Sequence, residues 1–543
     1  MAKISKKLAF VFGALTAVVL AGVIALIAIL TSFSPKSTGK HETRNALKES
    51  IEKIGVFMDG NMYYCDSSGN MTLVAENAYS ESDSSPVFTA DYGIDKASGK
   101  LIYLADGKLY SSENGEITLI ASNVSGWRTF EGMDAVAFTT KNELDSSLGT
   151  LFLYKDGNII LLDTGVTVSS VRFSQKGNCL FAEKPNIFPK IRSKLMRYDL
   201  SGNSEVMLDS SMPVMWVSDN GSTVICGSSV DDSLYTYEIY GRNFKKKLTL
   251  NGVYYPAVSD DGSILYVLCD YDTENKQGVL KAIDLVSLKE KVLAENAGFF
   301  TADALCDNSK GVVYSVVTDS ENGLYSIYYC PVKGKAVRLI RNTDEDAMYG
   351  VAIDTKRKSG YILAPGKTKI DTVLYYITLK GGNVTSARVA SGFVDSLVYY
   401  EESGLAAFVK NPDTSNSELY IAQEGETVLA GSDIGAKYNG SSNDYTANAV
   451  LSSKGDSVLY LTDLEISDDG QEISGTLKIK SGENEKTVSE NVNGSYMLSP
   501  VANGDFTDIF YCRNNENKYD VCFFDGTETR VLVKNADGIF EIS

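Results

Sequence analysis

The chain has 543 residues and is 43% apolar, which is enough material for an extensive buried core and excludes a wholly disordered chain. It carries 70 acidic against 51 basic residues, a net charge of −19, and its basic residues do not cluster beyond Lys245, Lys246 and Lys247. Nucleic acid is therefore not an expected partner, because such binding needs a basic track that displaces counterions.

The chain opens on a short basic tail, residues 1–7, with Lys3, Lys6 and Lys7. Residues 8–33 then read LAFVFGALTAVVLAGVIALIAILTSF, twenty-six positions without a charge. As a helix this run is about 39 Å long, enough to cross a hydrocarbon core of roughly 30 Å with some tilt. A cleaved secretory signal has an apolar stretch of only about 7–15 residues and a small-residue cleavage site. This run is longer and no convincing site follows it, so it reads as an uncleaved transmembrane signal anchor. Lys36, Lys40, Arg44 and Lys48 follow the span and oppose the charge bias of the head. A basic head before a long apolar run nevertheless reads as a start-transfer signal, placing the bulk of the chain outside the cytoplasm. Residues 34–53 read as a polar stalk, with a short helix over ETRNALKESIEKI (42–54).

From residue 54 the chain repeats itself. An apolar pair, usually with tyrosine, is followed a few residues on by Asp or Gly. Examples are NMYYCDSSGN (61–70), KLYSSENGE (108–116), TLFLYKDGN (150–158), KLMRYDLSGN (194–203), ELYIAQEGE (418–426) and KYDVCFFDGTE (518–528), within eleven copies in all. A second phrase, a glycine turn before an apolar run, interleaves with the first at Gly99, Gly177, Gly221, Gly262, Gly311, Gly360, Gly404, Gly455 and Gly504. Each unit thus holds about four short strands separated by turn residues, the arithmetic of a β-propeller blade. Inner strands of a blade are covered on both faces, so they should be continuously apolar, as ILYVL (264–268) is. The fold class expected is all-β: a propeller of about eleven four-stranded repeats, preceded by one transmembrane helix. Eleven exceeds the usual four to eight blades. Two tandem propellers, 54–298 and 299–543, would resolve this. Pairing of NADGIFEIS (535–543) beside IGVFMD (54–59) would instead close one large or irregular ring.

VSDDGSILYVL (258–268), VSDNGSTVI (217–225) and RFSQKGNCLF (172–181) resemble the TolB-like, or WD-like, propeller repeat, in which a Ser-x-Asp-Gly turn links an inner strand to the next one out. The family's proline in that turn is absent here. The close match covers three adjacent units and the looser strand pattern covers 54–543. The resemblance implies a role in an assembly of the cell envelope.

Chemistry is mostly excluded. The single histidine, His41, lies in the stalk, so neither a Ser-His-Asp nor a Cys-His nucleophile system can be built in the repeats, and HExxH and multi-histidine zinc sites are impossible. The eight cysteines are spread singly and read as small buried hydrophobes, with a disulfide between Cys512 and Cys522 as the one pairing to consider. Paired carboxylates of the glycosidase kind need no histidine and stay open. DYDTENKQG (270–278) and DLEISDDGQE (463–472) are acidic loops with oxygen donors but lack the EF-hand order. Trp127 and Trp216 read as blade packing before glycan platforms. No catalytic, cofactor-binding or metal-binding residue is assigned. The function expected is a membrane-anchored, extracytoplasmic propeller that binds an envelope protein as a non-catalytic scaffold. The alternative is a surface glycan-binding or carboxylate-dependent glycoside-cleaving protein.

Overall fold

The short runs fold as their spacing dictates. In the computed structural model, which describes residues 41–44, 47, 50–77, 91–95, 98–130, 133–142, 145–174, 176–186, 192–230, 234–241, 244, 247–259, 261–301, 311–319, 324–331, 334–343, 350–366, 371–380, 383–411, 417–437, 444–446, 449–466, 473–494, 500–515 and 518–542, nearly every element is a β-strand. The expected transmembrane run 8–33 and the tail 1–7 lie outside the described residues. Among the described residues no helix is long and apolar enough to cross a membrane.

Four antiparallel strands at a time form a sheet in chain order, for example Val214–Val217, Val224–Ser229, Tyr235–Tyr240 and Lys247–Val253. We number the resulting blades 1 (53–75), 2 (91–122), 3 (124–167), 4 (172–210), 5 (214–253), 6 (255–297), 7 (297–343), 8 (350–392), 9 (394–432), 10 (449–493) and 11 (501–536). Blades 6 and 7 share Glu290–Thr301, whose first part pairs with Gln277–Asp284 and whose last part pairs with Gly311–Asp319.

Among the described residues every neighbouring pair of blades shares a hydrophobic cluster. Leu101 and Tyr103 of blade 2 pack with Val74 of blade 1, Leu265 and Val267 of blade 6 with Ile239 of blade 5, and Phe300 and Tyr314 of blade 7 with Tyr266 of blade 6. The series runs on through blades 8, 9, 10 and 11 and returns to blade 1, where Phe510, Cys512 and Val521 meet Ile54, Val56 and Cys65. The chain is therefore one ring. The division at 298/299 falls inside the continuous strand Glu290–Thr301, across which blades 6 and 7 share a core.

Closure uses the pairing that the C-terminal sequence suggested. Gly538–Phe540 is the innermost strand of blade 1 and runs antiparallel to Lys53–Met58, with Gly55 opposite Phe540. The buried Asp537 fastens this strand: it accepts the Asp59 amide at 2.7 Å and the Lys518 ammonium at 3.0 Å, while Lys518 also reaches Asp59 at 2.8 Å.

The expected stalk is a correction. His41–Arg44 is a strand, not part of a helix, and it pairs parallel with Val394–Tyr400, the innermost strand of blade 9. It is thus a fifth strand, placed inside the ring. Leu47 then packs beside the cluster shared by blades 10 and 11, and Ile51 is buried between blades 11 and 1. The Ser453 hydroxyl donates to the Leu47 carbonyl at 3.2 Å.

The disulfide reading is also corrected. Cys512 lies opposite Val521 and Cys522 opposite Tyr511, so the two thiols point to opposite faces of blade 11. Both are free and buried. Burial pushes the Cys522 thiol up to about 11.

Candidate binding surfaces of the ring

The Ser-x-Asp-Gly phrase builds a self-contained turn. In blade 6 the Gly262 amide donates to the Ser259 carbonyl at 2.7 Å and the Ser259 amide to Ile264 at 2.9 Å. The Ser259 hydroxyl donates to Asp261, whose carboxylate also accepts the Ser263 amide at 3.1 Å. Ser174, Ser218 and Ser452 repeat the backbone pair in blades 4, 5 and 10. These turns join first to second strands. Together with the turns between third and fourth strands they make one end of the ring, here the lower face. The upper face carries the turns between second and third strands and the crossings to the next blade.

Blades are stitched by tyrosine hydroxyls. Tyr198 of blade 4 donates to Asp163 of blade 3 at 3.0 Å, beside Lys184 at 2.5 Å. Burial alone would raise the Asp163 carboxyl, but Lys184, the Thr164 amide and Tyr198 outweigh it and hold it below the usual range. Tyr399 of blade 9 donates to the buried Asp354 of blade 8 at 3.1 Å, and Arg357 reaches that carboxylate at 3.1 Å. Tyr64 reaches the Gly99 carbonyl of blade 2 at 2.9 Å.

Two features are open to a ligand, and a third, beside the channel, is a largely enclosed charged pair. A groove of about 550 Å³ lies at the lower face between blades 9 and 10, lined by Leu405, Ile421 and Val458 together with Glu424, Glu426 and Lys480. Tyr254 and Tyr271 stack at 4.1 Å, nearly parallel at 8°, on the upper face of blades 5 and 6, and Tyr254 is exposed. Near the channel, Arg172 on the innermost strand of blade 4 stands by Glu183 on the second. Protein surrounding the Arg172 guanidinium lowers its pKa to about 10 against the opposing pull of Glu183. Burial raises the Glu183 carboxyl, although Ser193 and the Val214 amide at 3.3 Å bond to it. Sequence reading passed over Glu183. A lone acid inside the apolar run CLFAEKPN was the signal.

Of the described acids that the sequence left open for calcium or catalysis, Asp272 is engaged by its own loop: it accepts the Glu274 and Asn275 amides and the Asn275 side chain. Residues 467–472 of the second acidic loop lie outside the described residues. Among the described residues no group of three His, Cys, Asp or Glu side chains is placed to hold a metal. Trp127 is buried against Gly93, and Trp216 packs on Gly262 and the cluster of blades 5 and 6. His41 lies in the strand inside the ring.

The fold and its surfaces define a β-propeller. No protein-family description matches the chain, and no curated protein matches it. Among solved structures it is similar to a eukaryotic initiation factor at 10% identity, covering 81% of this chain and 97% of that one with a TM-score of 0.42. It is similar to the β-propeller domain of the Trilobed protease from Pyrococcus furiosus at 14% identity, covering 68% and 95% with a TM-score of 0.24. TolB from Acinetobacter baumannii is similar at 13% identity over 59% of this chain and 82% of that one, with a TM-score of 0.23.

Proposed function

We propose that the protein is a membrane-anchored, extracytoplasmic β-propeller that binds a protein of the cell envelope and catalyses nothing. The observation that carries the reading is the uncharged run 8–33 placed directly before a closed ring. A rigid ring presents its turns as a fixed display, which suits recognition. The buried acids Asp354, Asp520 and Asp537 are each held by a basic side chain, and Glu183 by Ser193 and a backbone amide. They serve as clasps, which supports a binding role over hydrolysis.

The test uses the full chain. Membranes washed in high salt and carbonate should retain it, and protease added outside intact cells should remove the ring. The detergent-purified chain is then offered solubilised envelope proteins and, separately, isolated cell-wall polysaccharide. Saturable, stoichiometric capture of one protein supports the reading. Capture or cleavage of polysaccharide without protein overturns it in favour of a glycan function, and release by the carbonate wash removes the anchor.

A further inference from the structure

We infer that the ring is threaded by its own tether and that its upper face lies against the lipid surface, leaving the lower face as the one presented to partners. This deepens the membrane-anchor reading and rests on it.

The direction of the pairing is the decisive fact. Val394–Tyr400 starts at the crossing from blade 8, on the upper face, and ends at the turn into Leu405–Lys410, on the lower face. His41–Arg44 runs parallel to it on its channel side, with His41 level with Leu397 and Arg44 level with Tyr400. The chain before His41 therefore points to the upper face. The chain after Arg44 leaves by the lower face. There Leu47 meets Ser453, in the first-to-second turn of blade 10. Lys53–Met58 then enters blade 1 in the upward direction, as the second strand of a blade must.

Length limits the alternatives. The apolar run ends at Phe33, eight residues before His41, a reach of at most roughly 28 Å at about 3.5 Å per residue. About three residues, roughly 10 Å, are needed to climb from the level of Leu397 to the start of the strand at Val394. The remaining reach, roughly 15–18 Å, holds the upper face close to the bilayer. A path from the upper face around the outside of a blade is too long. Four strands spaced about 4.8 Å apart already make a blade close to 20 Å from channel to rim, before the descent.

A second observation points the same way. The upper ends of blades 5 and 6 expose Tyr254, stacked on Tyr271, and Val230 at 63%. Rings with an apolar body and a polar tip favour the headgroup zone. The same face carries Asp145, Asp272 and Glu274, so attraction to anionic lipid does not hold it there; the tether does.

The experiment places single labels on the full chain in vesicles that carry a headgroup acceptor dye. Lys108→Cys and Glu274→Cys report the upper face, and Ser201→Cys and Lys356→Cys the lower; all four positions are exposed, and the native cysteines with described side chains are buried. The faces are roughly 20 Å apart. Energy transfer should be higher from 108 and 274 than from 201 and 356. The reverse order, or equal transfer from all four, overturns the orientation while flotation with the vesicles still upholds the anchor. A chain that does not float with the vesicles overturns the anchor and this inference with it.

Discussion

The fifth position of the first-to-second turn demands a left-handed backbone. Gly177, Gly221, Gly262 and Gly455 meet it at φ of 65°, 68°, 65° and 73°. In blade 8 the left-handed position falls one residue later in the turn and is held by Lys358 at 58°, and Gly360 lies instead within the second strand. In blade 11 it is held by Phe506 at 59°, two residues after Gly504. A side chain in this region costs about 1–2 kcal/mol. Lys358 is exposed, so Lys358→Gly should relieve that strain, while the freer unfolded chain takes back about 0.4–1 kcal/mol. The expected result is a small gain, up to about 1 kcal/mol. Phe506 is 2% exposed in the core of blades 10 and 11. Emptying such a site costs about 3–5 kcal/mol, more than the strain released. Phe506→Gly should therefore lower the melting temperature while Lys358→Gly leaves or raises it. Equal shifts would show that the turn does not impose the strain. Leu265, wholly buried between blades 5 and 6, sets the scale for core damage. Leu265→Asp should cost more than about 3 kcal/mol by thermal melt, since it buries an unpaired charge in place of a packed side chain.

Turns between third and fourth strands bring a pH dependence. Asp66 and Asp199 each accept two backbone amides and an Asn side chain in the matched phrases DSSGN and DLSGN. Asp525 accepts the Glu528 and Thr527 amides and the Thr527 hydroxyl. These bonds hold all three carboxyls low, Asp525 at about 2. A folded pKa below the unfolded value of about 3.9 gives stability that is present above it and lost as pH falls through the folded value. Glu183 has the opposite sign. Its raised pKa makes its ionisation a cost to the fold, relieved by acid. The three caps outnumber it, so melting temperature should fall between about pH 4 and pH 2. Asp525→Asn should blunt the lower end of that fall; an unchanged profile would place the acid sensitivity elsewhere. These turns were legible because each is closed within six residues and repeats. The route of 41–53 was not, because ETRNALKESIEKI has helical spacing and its partners, Leu397 and Ser453, lie hundreds of residues away. The groove between blades 9 and 10 and the Tyr254–Tyr271 stack arise the same way, from residues that only packing brings together.

At the scale of the molecule, a ring of this size stands or falls with its closure, since each blade is covered on both faces only while its neighbours hold. Phe540 is central to the closing strand. Its ring covers Gly55, lies tilted against Phe57 at 4.7 Å and meets Tyr92 of blade 2 at 5.3 Å, so one side chain joins the terminal strand, blade 1 and blade 2. A Cβ at Gly55 would stand 2.0 Å from that ring. Gly55→Ala must therefore expel Phe540 or separate the strands, and should cost about as much as Phe540→Ala, roughly 3–5 kcal/mol. Once the ring of Phe540 is gone, the methyl group has space. The double variant should then be far less than the sum of the two, a coupling of about 2–3 kcal/mol in a double-mutant cycle. Additive losses would mean that Gly55 and Phe540 act separately, and that the terminal strand is held by Asp537 and Lys518 instead of by the aromatic cover. That clasp has its own signature. Bonds to Asp59 and Asp537 raise the Lys518 ammonium, so its stabilisation is complete below the unfolded value of about 10.4 and is lost as pH climbs through the folded one. Lys518→Met should remove this alkaline loss and leave the Gly55–Phe540 coupling intact, whereas loss of both together would show the clasp and the aromatic cover to be a single latch.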